Sequence, residues 1–142
     1  MTPAALERRI SVLEAAILPR PAVQVPDALA LMVAAGMQPD PWQEAVAQSE
    51  ADRILLNCYR QLGKTQIAAA IALETAMHEP GALVLVLSPS LRQSSESFRQ
   101  IVSLYRPWAG QIPSEAESLL KMELAKRAGR CWGLWSNSGT MA

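Results

Sequence analysis

Residues 53–65 read RILLNCYRQLGKT, and QIAAAIALETAMHEPGALVLVLS continues the chain through residue 88. Gly63-Lys64-Thr65 behind an apolar run is a spacing suited to holding a triphosphate. Backbone N–H groups of a loop and of the helix behind it can cradle phosphate oxygens, a lysine can reach the β/γ oxygens, and a threonine hydroxyl can sit on Mg²⁺. Three residues alone are a weak signal, so the flanks decide. RILLNC (53–58) has strand length. Residues 66–78 place Ile67, Ile71 and Met77 among alanines without Gly or Pro, which predicts a helix. Pro80-Gly81 breaks it, and ALVLVL (82–87) is a continuous apolar run of the kind found in a parallel strand covered on both faces. Strand, loop, helix, break and strand make a βαβ unit. The full GxxxxGK[ST] pattern asks for glycine at position 58, where Cys58 stands.

Working outward, the first forty residues predict helices. Thr2-Pro3 suits a helix start, with Leu6, Ile10, Leu13 and Ile17 on one face. Pro19, Pro21 and Pro26 mark an extended connector, and Asp27 can cap a second helix through Met32 and Val33 that stops near Gly36. At PDPWQEAV (39–46) two readings compete. Asp40, Pro41 and Gln43 fit a capping box. Alternatively the Gln43 amide reads an adenine edge, since it can donate and accept at once.

Beyond the second strand, Ser90 is a suitable N-cap with Gln93 three residues on, and Phe98, Ile101, Val102 and Tyr105 form a core stripe. Ser88, Ser90, Arg92 and Gln93 fall at the strand-to-helix junction, the ligand-facing edge of an open parallel sheet. Leu120, Met122 and Leu124 alternate with Lys121 and Glu123, which predicts a third strand. A helix capped at Ser114 competes with that reading.

The chain has 142 residues, 50% hydrophobic and 18% charged, with thirteen basic and thirteen acidic side chains. That is one domain's worth, with no bulk charge to attract nucleic acid. The arginines between Arg92 and Arg106 suit a solvated helix face. Cys58 and Cys131 lie far apart outside any CxxC pair, so neither zinc nor a disulfide framework is suggested, and a reduced setting fits. No apolar run approaches the ~20 residues of a spanning helix, and no secretory signal is legible. His78, the single histidine, sits where a cation favours a helix C-terminus.

WQ at 42–43, CYRQLGKT at 58–65 and VLSPSLRQSSESFR at 86–99 together resemble the N-terminal ATPase region of bacteriophage terminase large subunits, which package DNA. The resemblance covers about residues 38–125, and the Arg60-Gln61 pair inside the loop is its most specific mark. It implies an α/β fold, a P-loop NTPase of the ASCE/RecA-like type with a parallel sheet, here its N-terminal part preceded by a helical segment. It further implies ATP and Mg²⁺ as cofactors. Gln43 is then placed at adenine, and Arg60, Gln61, Leu62, Gly63, Lys64 and Thr65 at phosphate. Arg60 and Lys64 become the catalytic side chains, Arg60 as the γ-phosphate contact, and Thr65 the metal ligand. Double-stranded DNA, a portal protein and a small terminase subunit are the implied partners, with no membrane and a homo-oligomeric parent, in the bacterial host cytoplasm.

Hydrolysis needs an Asp after a hydrophobic strand and then a Glu. Asp27, Asp40 and Asp52 all precede the loop, and Glu115, Glu117 and Glu123 end no suitable apolar strand. The nuclease domain of such motors is not seen either. The expected organisation is therefore a helical segment (1–38), a partial ATPase domain (39–125) and a tail (126–142) that is either out of frame or divergent, with Trp132 and Trp135 packing on the core in the latter case. At most weak nucleotide binding, without turnover, is the activity expected of this chain alone. A non-catalytic interaction remnant and a small P-loop nucleotide kinase are the alternatives.

Overall fold

The computed structural model describes residues 2, 4–7, 9–10, 24–118, 120–124 and 130–135. Near the N-terminus, residues 4–7 and 9–10 are helical, and the Thr2 carbonyl accepts from the Ala5 and Leu6 N–H groups at 3.0 and 3.2 Å. Pro3, Leu13, Ile17, Pro19 and Pro21 of the expected helix and connector lie outside the described residues.

Helix α1 (Ala28–Ala34) starts at Asp27, whose carboxylate accepts from the Ala30 N–H at 2.7 Å, and Gly36 follows it at φ +79°. Helix α2 (Pro41–Ala47) starts at Asp40 with proline in its first turn. Helix α3 (Lys64–His78) and strand β1 (Leu83–Ser88) are joined by a turn in which Gly81 takes φ +76°. Helix α4 (Leu91–Tyr105) is capped by Ser90, whose hydroxyl accepts from the Gln93 N–H at 3.3 Å, and runs into a 3₁₀ turn at Arg106–Trp108. The Tyr105 hydroxyl then donates to the Ile112 carbonyl at 2.6 Å, tying the exit of α4 to the chain that follows.

Strands β2 (Ser114–Ser118), β3 (Lys121–Leu124) and β4 (Arg130–Trp135) complete a four-stranded sheet of order β1-β4-β3-β2. Only β1 and β4 run parallel, Leu83 opposite Arg130 and Ser88 opposite Trp135; β4 with β3 and β3 with β2 are antiparallel. This sheet differs from the expected one in three ways. It is mixed rather than parallel. Residues 114–118 form a strand, not a helix capped at Ser114. Its second strand comes from 130–135, inside the stretch set apart as a tail, because a Cys-Trp-Gly-Leu-Trp run supplies aromatic β-formers to the open edges of β1 and β3.

A further difference concerns RILLNC. Residues 53–59 take no regular structure. A strand exists only where a neighbour exchanges N–H···O bonds with it. The outer edge of β1 instead opens on a groove of about 500 Å³, which Ile54 and Leu56 share with Val84–Leu87 and the α3 residues Ile67 and Ile71.

The core forms where α1, α3 and α4 meet one face of the sheet. Leu31, Ile67, Leu73, Ile101, Leu104 and Met122 are wholly buried, with Phe98 among them. Buried alanines at 69, 70, 72 and 76 let neighbouring elements approach α3 closely. The stripe on α4 is Phe98, Ile101, Leu104 and Tyr105, with Val102 half-buried at its edge. On β1 the alternation is plain: Val84 and Val86 pack on the core, while Leu83, Leu85 and Leu87 are 52%, 47% and 71% exposed. Among the described residues, then, β1 is covered on one face and not on both, and no helix is long and apolar enough to cross a membrane.

At the far end of α3, burial pushes the Glu74 carboxyl above its ordinary range; a hydrogen bond from the Ala28 backbone and the charge of His78 pull the other way, while Asp27 adds to the rise. His78 Nε2 lies 3.2 Å from the Pro26 carbonyl. These contacts pin the entry of α1 to the last turns of α3, so the opposite end of α3 is carried on a fixed element.

Candidate phosphate-binding site

Cys58 to Gly63 bring the chain round into the first turn of α3. Two residues of this turn have left-handed backbone, Gln61 at φ +63° and Gly63 at φ +83°. For Gln61 that is an uncommon conformation, and such strain is found at ligand-holding turns. For Gly63 it is a requirement of space as well. A Cβ there would stand 2.6 Å from Gln43 Nε2 and 2.9 Å from Gln66 Oε1.

Gly63 is the N-cap of α3, and no side chain caps that helix. Its carbonyl accepts the first helical bond, from the Ile67 N–H at 3.2 Å. The first-turn N–H groups of a fifteen-residue helix carry the positive end of its dipole, a favourable place for an anion. Lys64 opens the helix and folds back across the loop. Its ammonium donates to the Cys58 carbonyl and, at 3.1 Å, to the Tyr59 carbonyl. An ammonium has three donors, so one remains for a ligand while the loop stays closed.

Two clefts meet at this point. One, of about 280 Å³, is lined by Gln61, Gly63, Lys64 and Gln66 together with Glu96 and Gln100 of α4. The other, of about 250 Å³, runs beneath it past Leu56, Ala68 and Val86 to Ser88 and Ser97. Lys64 and Thr65 line both. The polar cleft lies over the helix start and the apolar one leads toward the C-terminal end of β1, a division that suits a ligand with a charged end and an uncharged body.

Of the residues expected from sequence, Gln61, Gly63, Lys64 and Thr65 come together here. Leu62 is exposed on the turn beside them. Arg60 is also exposed and lines neither cleft. Ser88 reaches the site, whereas Ser90 is spent on capping α4 and Arg92 is exposed outside both clefts. Gln43 is 2% exposed. Its Oε1 accepts from the Asp40 N–H at 2.9 Å and its Nε2 donates to the Gly63 carbonyl at 3.1 Å, so the cap reading and a contact with the loop hold together.

Glu96 and Gln100 were not singled out from sequence. The signal available was their i, i+4 spacing on the face of α4 away from Phe98 and Ile101. Glu96 Oε2 pairs with Arg99 Nη1 at 3.3 Å on the exposed side of the helix, a contact of small energetic weight.

The donor set can be tested against the cofactors that the resemblance implies. A lysine, a free helix start and a left-handed glycine turn suit the phosphates of a nucleotide. Mg²⁺ is usually held by one or two carboxylates along with phosphate oxygens and water. Thr65 and Glu96 offer one hydroxyl and one carboxylate around the shared cleft. Among the described residues no three His, Cys, Asp or Glu side chains form a metal-holding group. The fit is therefore to a metal carried in by the nucleotide. Comparison with models of known protein families, with curated proteins and with solved structures finds no match for this chain.

Proposed function

We propose that this chain binds ATP with Mg²⁺ through residues 58–65, as the nucleotide-binding part of a viral DNA-packaging motor of the terminase large-subunit type. The observation that supports this most is the geometry at Gly63-Lys64-Thr65: a left-handed glycine, an uncapped helix start and a lysine bridging the loop carbonyls, at the junction of two clefts. The wider motif resemblance supplies the motor context, and with it an α/β P-loop ATPase fold, double-stranded DNA, portal and small-subunit partners, and the bacterial cytoplasm as the setting.

In this reading the helix start and loop N–H groups hold the phosphates. Lys64 keeps both loop carbonyls and turns its third donor to phosphate oxygens. Thr65, with Glu96 nearby, would hold Mg²⁺, whose charge offsets that of the phosphates when the nucleotide is bound. Arg60, exposed at the turn, has to swing inward to meet a γ-phosphate. Phosphate binding is the activity assigned to residues 58–65; hydrolysis requires in addition a carboxylate pair at the end of a hydrophobic strand.

Isothermal titration of the purified chain with Mg-ATP, beside its Lys64→Ala variant, tests the reading. Saturable binding that the variant loses supports it; binding indifferent to Lys64 overturns it. A second reading, a non-catalytic interaction module, is favoured by the exposed leucines of β1. It gains weight if the chain binds no nucleotide and Leu85→Lys shifts its sedimentation.

A further inference from the structure

We infer that Gln43 is a positioning residue of the phosphate loop, fixing Gly63 to the start of α2 through its side-chain amide. The side chain is 2% exposed and reaches across twenty positions of sequence to donate from Nε2 to the Gly63 carbonyl at 3.1 Å. Its other end accepts from the Asp40 N–H at 2.9 Å. That second bond fixes the orientation of the amide, since an N–H must meet the oxygen and a carbonyl must meet the NH₂. The amide therefore joins two helix starts with a donor and an acceptor each in its proper place.

Gly63 is the residue through which such a tether acts on the loop. Its carbonyl also receives the Ile67 N–H, so one oxygen carries both the tether and the first bond of α3. A glycine is needed at this point because Nε2 occupies the space where a Cβ would be, 2.6 Å from its ideal position. Pro41 at the start of α2 fixes the backbone on the other side. An amide buried this deeply, with each end engaged, sets where the phosphate-facing N–H groups point. In this structure it does not present itself to a purine edge. The functional half of the inference rests on the phosphate-binding reading above.

Two variants separate the roles. Gln43→Glu keeps an acceptor for the Asp40 N–H and loses the donor to Gly63; Gln43→Met keeps the volume and loses both. Amide hydrogen exchange on the full chain is expected to quicken about tenfold at Ile67, whose N–H donates to the Gly63 carbonyl, in either variant, as loss of one buried hydrogen bond implies. In Gln43→Glu the amides of α2 keep their wild-type rates. Titration with ATP, GTP and inorganic tripolyphosphate should show all three weakened by a common factor of about ten. Unchanged exchange at Ile67 overturns the inference, as does a loss confined to ATP with tripolyphosphate unaffected, which is the signature of adenine reading. If the wild type binds neither ATP nor tripolyphosphate, the phosphate-binding reading fails, and exchange at Ile67 decides the tether by itself.

Discussion

Residues 58–65 and residues 53–57 adjoin in the chain and are equally suggestive on paper, yet the structure treats them differently. The loop is fixed from three directions: Lys64 bridges its carbonyls, Gln43 holds Gly63, and α3 continues from it into the core. Among the described residues the stretch before it has no ladder partner, and Leu55 is 93% exposed. A turn can be specified by its own residues and a few nearby donors. A strand cannot, because its hydrogen bonds all belong to another segment.

The contrast can be broken or sharpened by substitution. Leu73→Ala strikes the wholly buried face of α3, on which the loop stands. It should cost about 2–5 kcal/mol, enough to unfold much of the population of a marginally stable domain, as read by urea denaturation. Gly63→Ala combines a left-handed backbone with a Cβ set against Gln43 Nε2. An expected loss of about 2–3 kcal/mol in the same assay reflects both effects, and a loss under about 0.5 kcal/mol would mean that the loop is not held as described.

Glu74 gives a smaller effect with a definite sign. Its carboxyl is raised, chiefly by burial, so the neutral form is the one the fold prefers. The stability it contributes is full below the unfolded carboxyl range and is lost as pH rises through the raised value. Thermal melts of Glu74→Gln and wild type should therefore draw apart in favour of the variant as pH rises from the ordinary carboxyl range upward. A constant gap across that range contradicts the assignment. At the bottom of the scale, Leu55→Ala should change stability by no more than about 0.5 kcal/mol. A cost above about 2 kcal/mol would show that residues 53–57 pack or pair in solution.

What could be read in the sequence follows the same division. Asp27 and Ser90 as caps, Gly36 and Gly81 as stops, the α3 helix, the α4 stripe and the alternation at Met122 and Leu124 all follow from neighbours within about one turn or one pleat. Sheet order did not follow, since nothing local to Arg130–Trp135 says that it pairs parallel with β1 on one side and antiparallel with β3 on the other. The loop residues of the site were legible from Gly63-Lys64-Thr65. Glu96 and Gln100 were not, because they reach the cleft through the packing of α4 on α3, and the uncovered leucines of β1 were hidden in a run that looked fit for burial on both faces.

The measurement that bears most directly on the account is calorimetric titration of the wild-type chain and of Lys64→Ala with ATP, with and without Mg²⁺. The expected result is one saturable site that Mg²⁺ strengthens and that Lys64→Ala weakens by about tenfold or more, the scale of one charge-assisted hydrogen bond. Equal affinity in the two proteins, or no binding by a wild type shown to be folded, would contradict it.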